Sequence, residues 1–403
     1  MNQNFDIIIV GGGAAGFFTA INIAEKNPRL KIAVLERGRQ VLEKVRISGG
    51  GRCNVTHACF VPGELVKFYP RGEKELRGPF NQFSSGDTIE WFEKFGVALK
   101  TEADGRMFPV SDSSQTIIDC FLNATKKMGI AVLTSQSVQS IFKSDDYWKI
   151  ATQSETFVAE KLILATGSNP KIWEMLQTFD HSIVSPVPSL FTFNIKDARI
   201  KELMGLSAEA NVKINDSRLS ASGPLLITHW GMSGPAILKL SAWGARILNE
   251  KNYQFSITVN WLKDLNTAEC EAILRATKLE HAKKAALKKS AFDFPSRLWE
   301  SFVVAANVDT ETKWADLNKN QLQSLSSQLT NAIYQVNGKS TFKEEFDTAG
   351  GIDLKEINFK NMESKLHKNL YFAGEIVNID AVTGGFNFQN AWTSGFVLAN
   401  SIV

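Results

Sequence analysis

An α/β fold is predicted for this 403-residue chain, with a parallel sheet entered through a βαβ unit and with a β-rich and then a helical stretch set into it. Three observations carry that reading. The apolar run FDIIIV at 5–10 passes directly into GGGAAG and a helical pattern, as a buried parallel strand feeding a helix does. Two later apolar runs, LILATG at 162–167 and LYFAGE at 370–375, also end their strands in glycine. After Ser185-Pro186-Val187-Pro188 the pattern changes to strand alternation and later to Lys-rich, Gly-poor helix.

Composition fits a folded chain. Hydrophobic residues make up 44% and charged residues 22%, ordinary globular usage that excludes disordered and fibrous classes. At roughly 150 residues per domain the length allows two to three domains. With 45 basic and 42 acidic residues the net charge is +3, too small to require nucleic acid or an anionic membrane as partner, so any basic patch is local. Cys53, Cys59, Cys120 and Cys270 form no CxxC pair and no disulfide framework, which predicts a reducing, cytoplasmic setting. The apolar start at Ile7–Val10 follows Asp6 and is interrupted by Gly11-Gly12-Gly13, so neither a signal peptide nor a membrane span is expected.

The first element is the strand 5–10. Gly11, Gly13 and Gly16 follow on G-x-G-x-x-G, and Phe17 to Ala24 continue as a helix until Asn27-Pro28 ends it. KIAVL at 31–35 is the next strand, and Glu36 stands 20 residues after Gly16. Strand, turn, helix, strand and acid together make the dinucleotide fingerprint. Gly11 permits the tight turn, Gly13 lets a pyrophosphate approach the backbone, and Gly16 allows close helix–strand packing. The helix N-terminus favours phosphate, while Glu36 accepts from ribose hydroxyls and repels a 2′-phosphate; FAD or NAD fits, NADP does not.

Residues 44–54, KVRISGGGRCN, expose backbone amides through three consecutive glycines, beside an arginine able to clamp phosphate or a ring oxygen. With LILATG in the middle and TGGFNFQNAWTSG at 383–395 leading into a C-terminal helix, one extended ligand touching all these segments is the economical reading. The set GGGAAG, ISGGGRCNVTH, LILATG, THWGMSGPAIL, TAGGI and FAGEIVNIDAVTGGFNFQNAWTSG resembles the BaiN-like, aminoacetone-oxidase-type FAD flavoproteins from end to end.

That resemblance implies a glutathione-reductase-type, Rossmann-like FAD domain over 1–187 and 348–403. It implies an inserted β-rich domain over 188–260 and 335–347 and an inserted helical domain over 261–334, with strands expected at 190–195, 210–215, 255–260 and 342–347. It puts Glu36 and Arg37 at the adenosine ribose, Gly11, Gly13, Ala14, Ala15 and Gly16 at the pyrophosphate, and Val138 near adenine. Lys44, Ser48, Gly50, Gly51, Arg52, Cys53 and Asn54 fall along the flavin side, with Ala165, Thr166 and Gly167 beside the cofactor. Gly374, Glu375, Asp380, Gly385, Phe386 and Asn387 fall at the ribityl chain and isoalloxazine. The sequence departs from the family pattern at Ala381, where glycine is common, and at Val45-Arg46.

The expected activity is FAD-dependent oxidoreduction, with hydride passing from a transient NAD(P)H through flavin N5 to an activated C=C of a small molecule. No second GxGxxG follows a later strand, so a stably held nicotinamide is not expected. The group also resembles enzymes that reduce uridine in ribosomal RNA and oxidases of small amines that use oxygen. Lys278, Lys283, Lys284, Lys288 and Lys289, in a helix-like stretch with Glu280, are either a solvated helix face or an RNA footprint. Candidate catalytic groups are His57 and His229, as proton donors or as structural hydrogen-bonders, and Cys53. Cys53-x5-Cys59 is one residue too long for the CxxxxC of disulfide reductases, which favours Cys53 as a packing residue. His181, His281 and His367 have no ligand spacing, and no metal site is expected.

Overall fold

The computed structural model describes residues 2–144, 146–340 and 347–402. The chain divides into two compact units, Met1–Val187 with Asp347–Val403, and Pro188–Phe346. Among the described residues no helix is long and apolar enough to cross a membrane.

In the first unit β1 (Asn2–Val10) runs into α1 (Ala14–Lys26) and then β2 (Ile32–Leu35). These strands lie in a parallel sheet of order Leu370–Phe372, Thr156–Leu164, β1, β2, Ala131–Leu133. Ile7, Ile8 and Ile9 are fully buried, as β-branched residues are when both faces of a sheet are covered. One face carries α1 packed against the C-terminal helix Phe386–Ser401, where Phe18 meets Trp392 at 5.3 Å. The two helices approach closely because Gly395 has no side chain: a Cβ there would stand 2.7 Å from Thr19 Oγ1. An antiparallel hairpin, Val138–Lys143 with Trp148–Thr152, joins the sheet on Thr156–Leu164. Between β2 and Ala131–Leu133 the chain forms α2 (Glu43–Gly51), a three-stranded sheet of Thr56–His57, Arg106–Pro109 and Leu99–Thr101, and further helices.

The second unit holds a seven-stranded antiparallel sheet among its described residues. Its order is Ala332–Asn337, Gln254–Asn260, Ser207–Ile214, Ser220–Ile227, Gly231–Ser233, Thr192–Asn194, Lys339–Ser340. Three helices, Thr267–Glu280, Ser296–Ala305 and Lys319–Thr330, share one core with it, Leu274, Phe302 and Leu329 clustering with Val212, Ile257 and Tyr334. Capping boxes start two of them, at Asn266 with Glu269 and at Asn318 with Gln321.

The strand expected at 342–347 falls on residues 341–346, outside the described ones, except for Asp347, which opens the strand Asp347–Ile352 of the first unit. The helix-like reading of 278–289 is corrected. The helix ends at Glu280, and turns follow. Ala285 bridges Lys313, the Ala286 N–H donates to the Thr312 carbonyl at 2.9 Å, and Ala286 is buried beneath them. Alanine and lysine favour helix locally, but this backbone pairing with 312–314 overrides the propensity.

Candidate functional site

The glycine turn between β1 and α1 has three different glycines. Gly11 has φ +116°, and a Cβ there would stand 2.3 Å from the Ala165 carbonyl oxygen. At Gly16 it would stand 2.0 Å from the Gly11 carbonyl oxygen, so the helix can pack this closely only on glycine. Gly13 differs, with φ −95° and nothing within 4 Å of an added Cβ. It faces open space. Helix α1 begins there with no side-chain cap and no acid in its first turn, leaving N–H groups of Ala14, Ala15 and their neighbours to meet an anion.

Glu36, just past β2, is fixed by two backbone donors, the Gly12 N–H at 2.9 Å and the Gly38 N–H at 2.7 Å. A carboxylate offers about four acceptor positions, so capacity remains for hydroxyls of a ligand. The backbone beyond Leu133 lies alongside, Gln136 N–H donating to the Glu36 carbonyl at 2.8 Å, and this leads to buried Val138. Arg37 is exposed.

Three strand ends converge on the same edge. The Ala165 N–H donates to the Val10 carbonyl at 2.8 Å and the Ala373 N–H to the Leu164 carbonyl at 3.1 Å, continuing the ladder to its last residues. Gly374 has φ +74° and stands beside Ala15, its added Cβ 3.0 Å from the Ala15 Cβ. Thr166 and Gly167 are half-buried, and a Cβ on Gly167 would lie 3.6 Å from Glu375 Oε2. That carboxylate pairs with Lys44 of α2 at 2.7 Å. Burial pushes Glu375 up, but the Lys44 ammonium and hydrogen bonds from Asp347 and Lys44 outweigh it and hold the carboxyl below its ordinary range. Lys44 in turn is raised, chiefly by Glu375.

The glycine-rich run forms a left-handed turn at the end of α2, with Gly49, Gly50 and Gly51 at φ 58°, 68° and 84° after extended Ser48. Gly50 and Gly51 are exposed and have nothing within 4 Å of an added Cβ, so the backbone there is open to close approach. Arg52 instead points at the neighbouring three-stranded sheet, pairing with Glu102 at 2.6 Å and stacking on Phe108 at 3.9 Å. Asn54, with its amide oxygen turned toward Gly385, accepts from the Gly385 N–H at 3.0 Å. Gly385 (φ 93°) caps the C-terminal helix so tightly that a Cβ would stand 2.6 Å from the Thr56 carbonyl oxygen. Phe386 is buried between Phe68, stacked at 4.3 Å, and His57, stacked at 4.6 Å. Asn387 accepts from the Ala381 N–H at 2.8 Å and donates to Asp347, and buried Asp380 is paired with Arg71 through both carboxylate oxygens.

Of the catalytic candidates, His57 donates from Nε2 to the Asp104 carbonyl at 3.1 Å, so its Nδ1 carries a lone pair, which is buried and unpartnered among the described residues. Burial lowers its pKa. His229 is exposed at the turn after Ser220–Ile227 in the second unit. All four cysteines are free. Cys53 is fully buried, its N–H on the Ser48 carbonyl at 2.9 Å, and burial pushes its thiol up to about 12. At about pH 8 a thiol reagent is therefore expected to leave Cys53 unmodified in the native protein and to label it on unfolding, read by mass spectrometry. Rapid native labelling would show a reactive thiolate there. Among the described residues no metal-holding cluster exists.

Sequence reasoning passed over Arg71, Phe68, Tyr69, whose hydroxyl donates to the Phe386 carbonyl at 2.5 Å, and Asp347. Only Asp347 carried a signal, standing directly before the TAGGI run.

An uncapped helix start over open glycine, a fixed acid past β2, an open left-handed turn and an unpartnered ring nitrogen fit a dinucleotide with a ring system at its far end. A family model described as the HI0933-like protein Rossmann domain matches residues 5–401. The chain belongs to the HI0933-like family. It is an FAD-dependent oxidoreductase with a Rossmann-type FAD domain. A protein of Escherichia coli named ribosomal RNA dihydrouridine synthase is 28% identical over 100% of this chain and 98% of its own. A Clostridium scindens protein named 3-dehydro-bile acid delta(4,6)-reductase is 22% identical over 96% of this chain and 97% of its own. The fold also matches 3-ketosteroid delta1-dehydrogenase from Sterolibacterium denitrificans, with TM-score 0.51, 10% identity, and 100% and 99% of the two chains covered.

Proposed function

We propose that this HI0933-like protein works in the cytoplasm to saturate an activated carbon–carbon double bond, taking hydride from NAD(P)H that visits transiently. The observation that carries the reading is the carboxyl edge described above, with one dinucleotide site and no second GxGxxG to hold a nicotinamide. Full-length relatives named for a dihydrouridine synthase and a delta(4,6)-reductase support a reduction of C=C rather than an amine oxidation.

When bound, FAD supplies hydride acceptance and donation. The chain's own groups do the rest. The α1 N-terminus neutralises the pyrophosphate, and Glu36, pinned by Gly12 and Gly38, accepts from ribose hydroxyls. The Lys44–Glu375 pair and the Gly50-Gly51 amides hold the segment toward the ring, and the C-terminal helix start adds partial positive charge. His57 keeps an acceptor nitrogen beside Phe386.

The test is anaerobic. Purified yellow protein should be bleached by NADH or NADPH and then recover its colour on adding a conjugated enone or a uridine-containing RNA, with a saturated product found by mass spectrometry. Bleaching by a small amine, and recovery only with air, would overturn the reading in favour of an oxidase. Ribosomal RNA as the substrate has a specific observation behind it: Lys283, Lys284 and Lys288 are exposed together on the turns after Glu280, and relatives bear that substrate in their names.

A further inference from the structure

Asn54 is held by three backbone groups that together call for an amide. Its oxygen accepts from the Gly385 N–H at 3.0 Å, and its nitrogen donates to the carbonyls of Thr56 at 3.0 Å and Met107 at 3.2 Å. One donor and two acceptors face it, so the amide sits only one way round, and both of its N–H groups are engaged. The next two residues fasten to the same helix: the Val55 carbonyl accepts from the Trp392 indole at 2.9 Å, and the Thr56 hydroxyl donates to Gln389 at 2.6 Å. Residues 54, 55 and 56 thus meet residues 385, 392 and 389, the first two turns of the C-terminal helix. The glycine-rich turn folds against the same residue, since a Cβ on Gly49 would stand 2.9 Å from the Asn54 backbone nitrogen.

Gly385 sets the direction in which the helix begins. It has φ 93°, and no side chain caps the helix, so the N–H groups of Phe386, Asn387 and Phe388 lack intrahelical acceptors and point where Gly385 sends them. A carboxylate is ordinarily favoured at such a helix start, because it meets the positive end of the dipole. Here the group that grips the turn is a neutral amide, which fixes Gly385 and leaves that positive end uncancelled. Ionised groups on the adjoining elements are paired with one another, Arg52 with Glu102, Arg106 with Asp104 and Asp380 with Arg71. His57, two residues after Asn54 and its nearest basic neighbour in the chain beyond it after Thr56, is held by the Asp104 carbonyl. We propose that Asn54 is a positioning residue: through Gly385 it aims the start of the C-terminal helix at the flavin, and its neutrality keeps the positive end of that helix available to the reduced ring. The clip between Asn54 and Gly385 is independent of any ligand; what it aims at rests on the reading that FAD lies along this edge.

The experiment compares full-length wild type with Asn54→Asp, which keeps the shape and the acceptor toward Gly385 but sets an oxygen against the Thr56 and Met107 carbonyls. That oxygen fits there only while protonated and donating, so the folded variant holds a proton that its unfolded chain, with aspartate near 3.9, releases. In ligand-free protein the variant should match wild type most closely near about pH 4. It should then fall behind by about tenfold in the unfolding equilibrium per pH unit, until the folded carboxyl ionises. A gap that does not change with pH would overturn the clip. In FAD-loaded protein, with that carboxyl ionised, the midpoint potential of the variant should lie about 30 mV or more below wild type, tenfold in a two-electron reduction equilibrium, and the difference should close as acid neutralises the carboxyl. Equal potentials at every pH would overturn the aim at the flavin. Should Asn54→Asp fail to fold or to hold FAD, Asn54→Ala serves instead, leaving the Gly385 N–H and two carbonyls without their partner. Wild-type stability in that variant would overturn the clip, and an FAD affinity not reduced by about tenfold would overturn the aim. Failure of wild type itself to retain FAD would sink the cofactor reading, while the ligand-free curves still decide the clip.

Discussion

Gly13→Glu is expected to give a folded, colourless protein. The position has φ −95°, which any residue adopts, and nothing lies within 4 Å of an added Cβ, so a side chain can leave the backbone here without strain. It does meet the space over the N-terminus of α1, where no side chain caps the helix. A carboxylate there both fills the place of a pyrophosphate and repels it. At about 4 Å and an effective dielectric of about 20, one such charge pair costs about 4 kcal/mol, about three decades in affinity before steric exclusion is added. The measurement is flavin absorbance per protein after purification, beside the thermal unfolding of wild type stripped of FAD. Matching unfolding with lost colour is the expected result. A yellow Gly13→Glu protein of wild-type affinity would remove the cofactor from this edge. Gly16→Ala is the contrast, because its Cβ would stand 2.0 Å from the Gly11 carbonyl oxygen and would damage folding itself.

Why Gly13 could be singled out in the sequence, and Arg71 could not, is a matter of range. The βαβ turn is local: strand, glycines, helix and Glu36 all fall within the first thirty-six residues, and each glycine's role follows from a backbone constraint close by in the chain. The strand ends at Ala165 and Gly374 were legible for the same reason, since an apolar run ending in glycine marks its own terminus. Arg71 meets Asp380 across 309 positions, and Asp347 meets Asn387 across 40; such pairings depend on how distant strands are ordered, which no local pattern encodes. The stretch at 278–289 failed in the opposite direction. Its alanines and lysines read as helix, but the pairing of Ala285 with Lys313 and the Trp299 indole N–H donating to the Ala286 carbonyl at 2.9 Å fix turns instead. Short strands such as Ala131–Leu133 were missed because three residues carry no period.

Those turns nevertheless keep the basic side chains on the surface, and the largest expected effect on substrate binding follows from them. Lys278 donates to the Leu317 carbonyl and Lys289 is half-buried, whereas Lys283, Lys284 and Lys288 are exposed. If ribosomal RNA is the substrate, changing these three to glutamate removes three cations and adds three anions at one patch. Every phosphate no longer neutralised should flatten the slope of log affinity against log salt by about 0.7 to 0.9, so the triple variant should lose about two to three units of slope and orders of magnitude in RNA affinity at low salt. The weakening should be nearly uniform across RNA sequences, because groups that bind phosphate read no base. FAD content and NADH oxidation should not change, since the lysines lie in the second unit and every cofactor motif lies in the first. RNA retention by wild type and triple variant at two salt concentrations decides the matter. Equal, weak retention by both would remove RNA as the substrate and leave a small unsaturated molecule in its place.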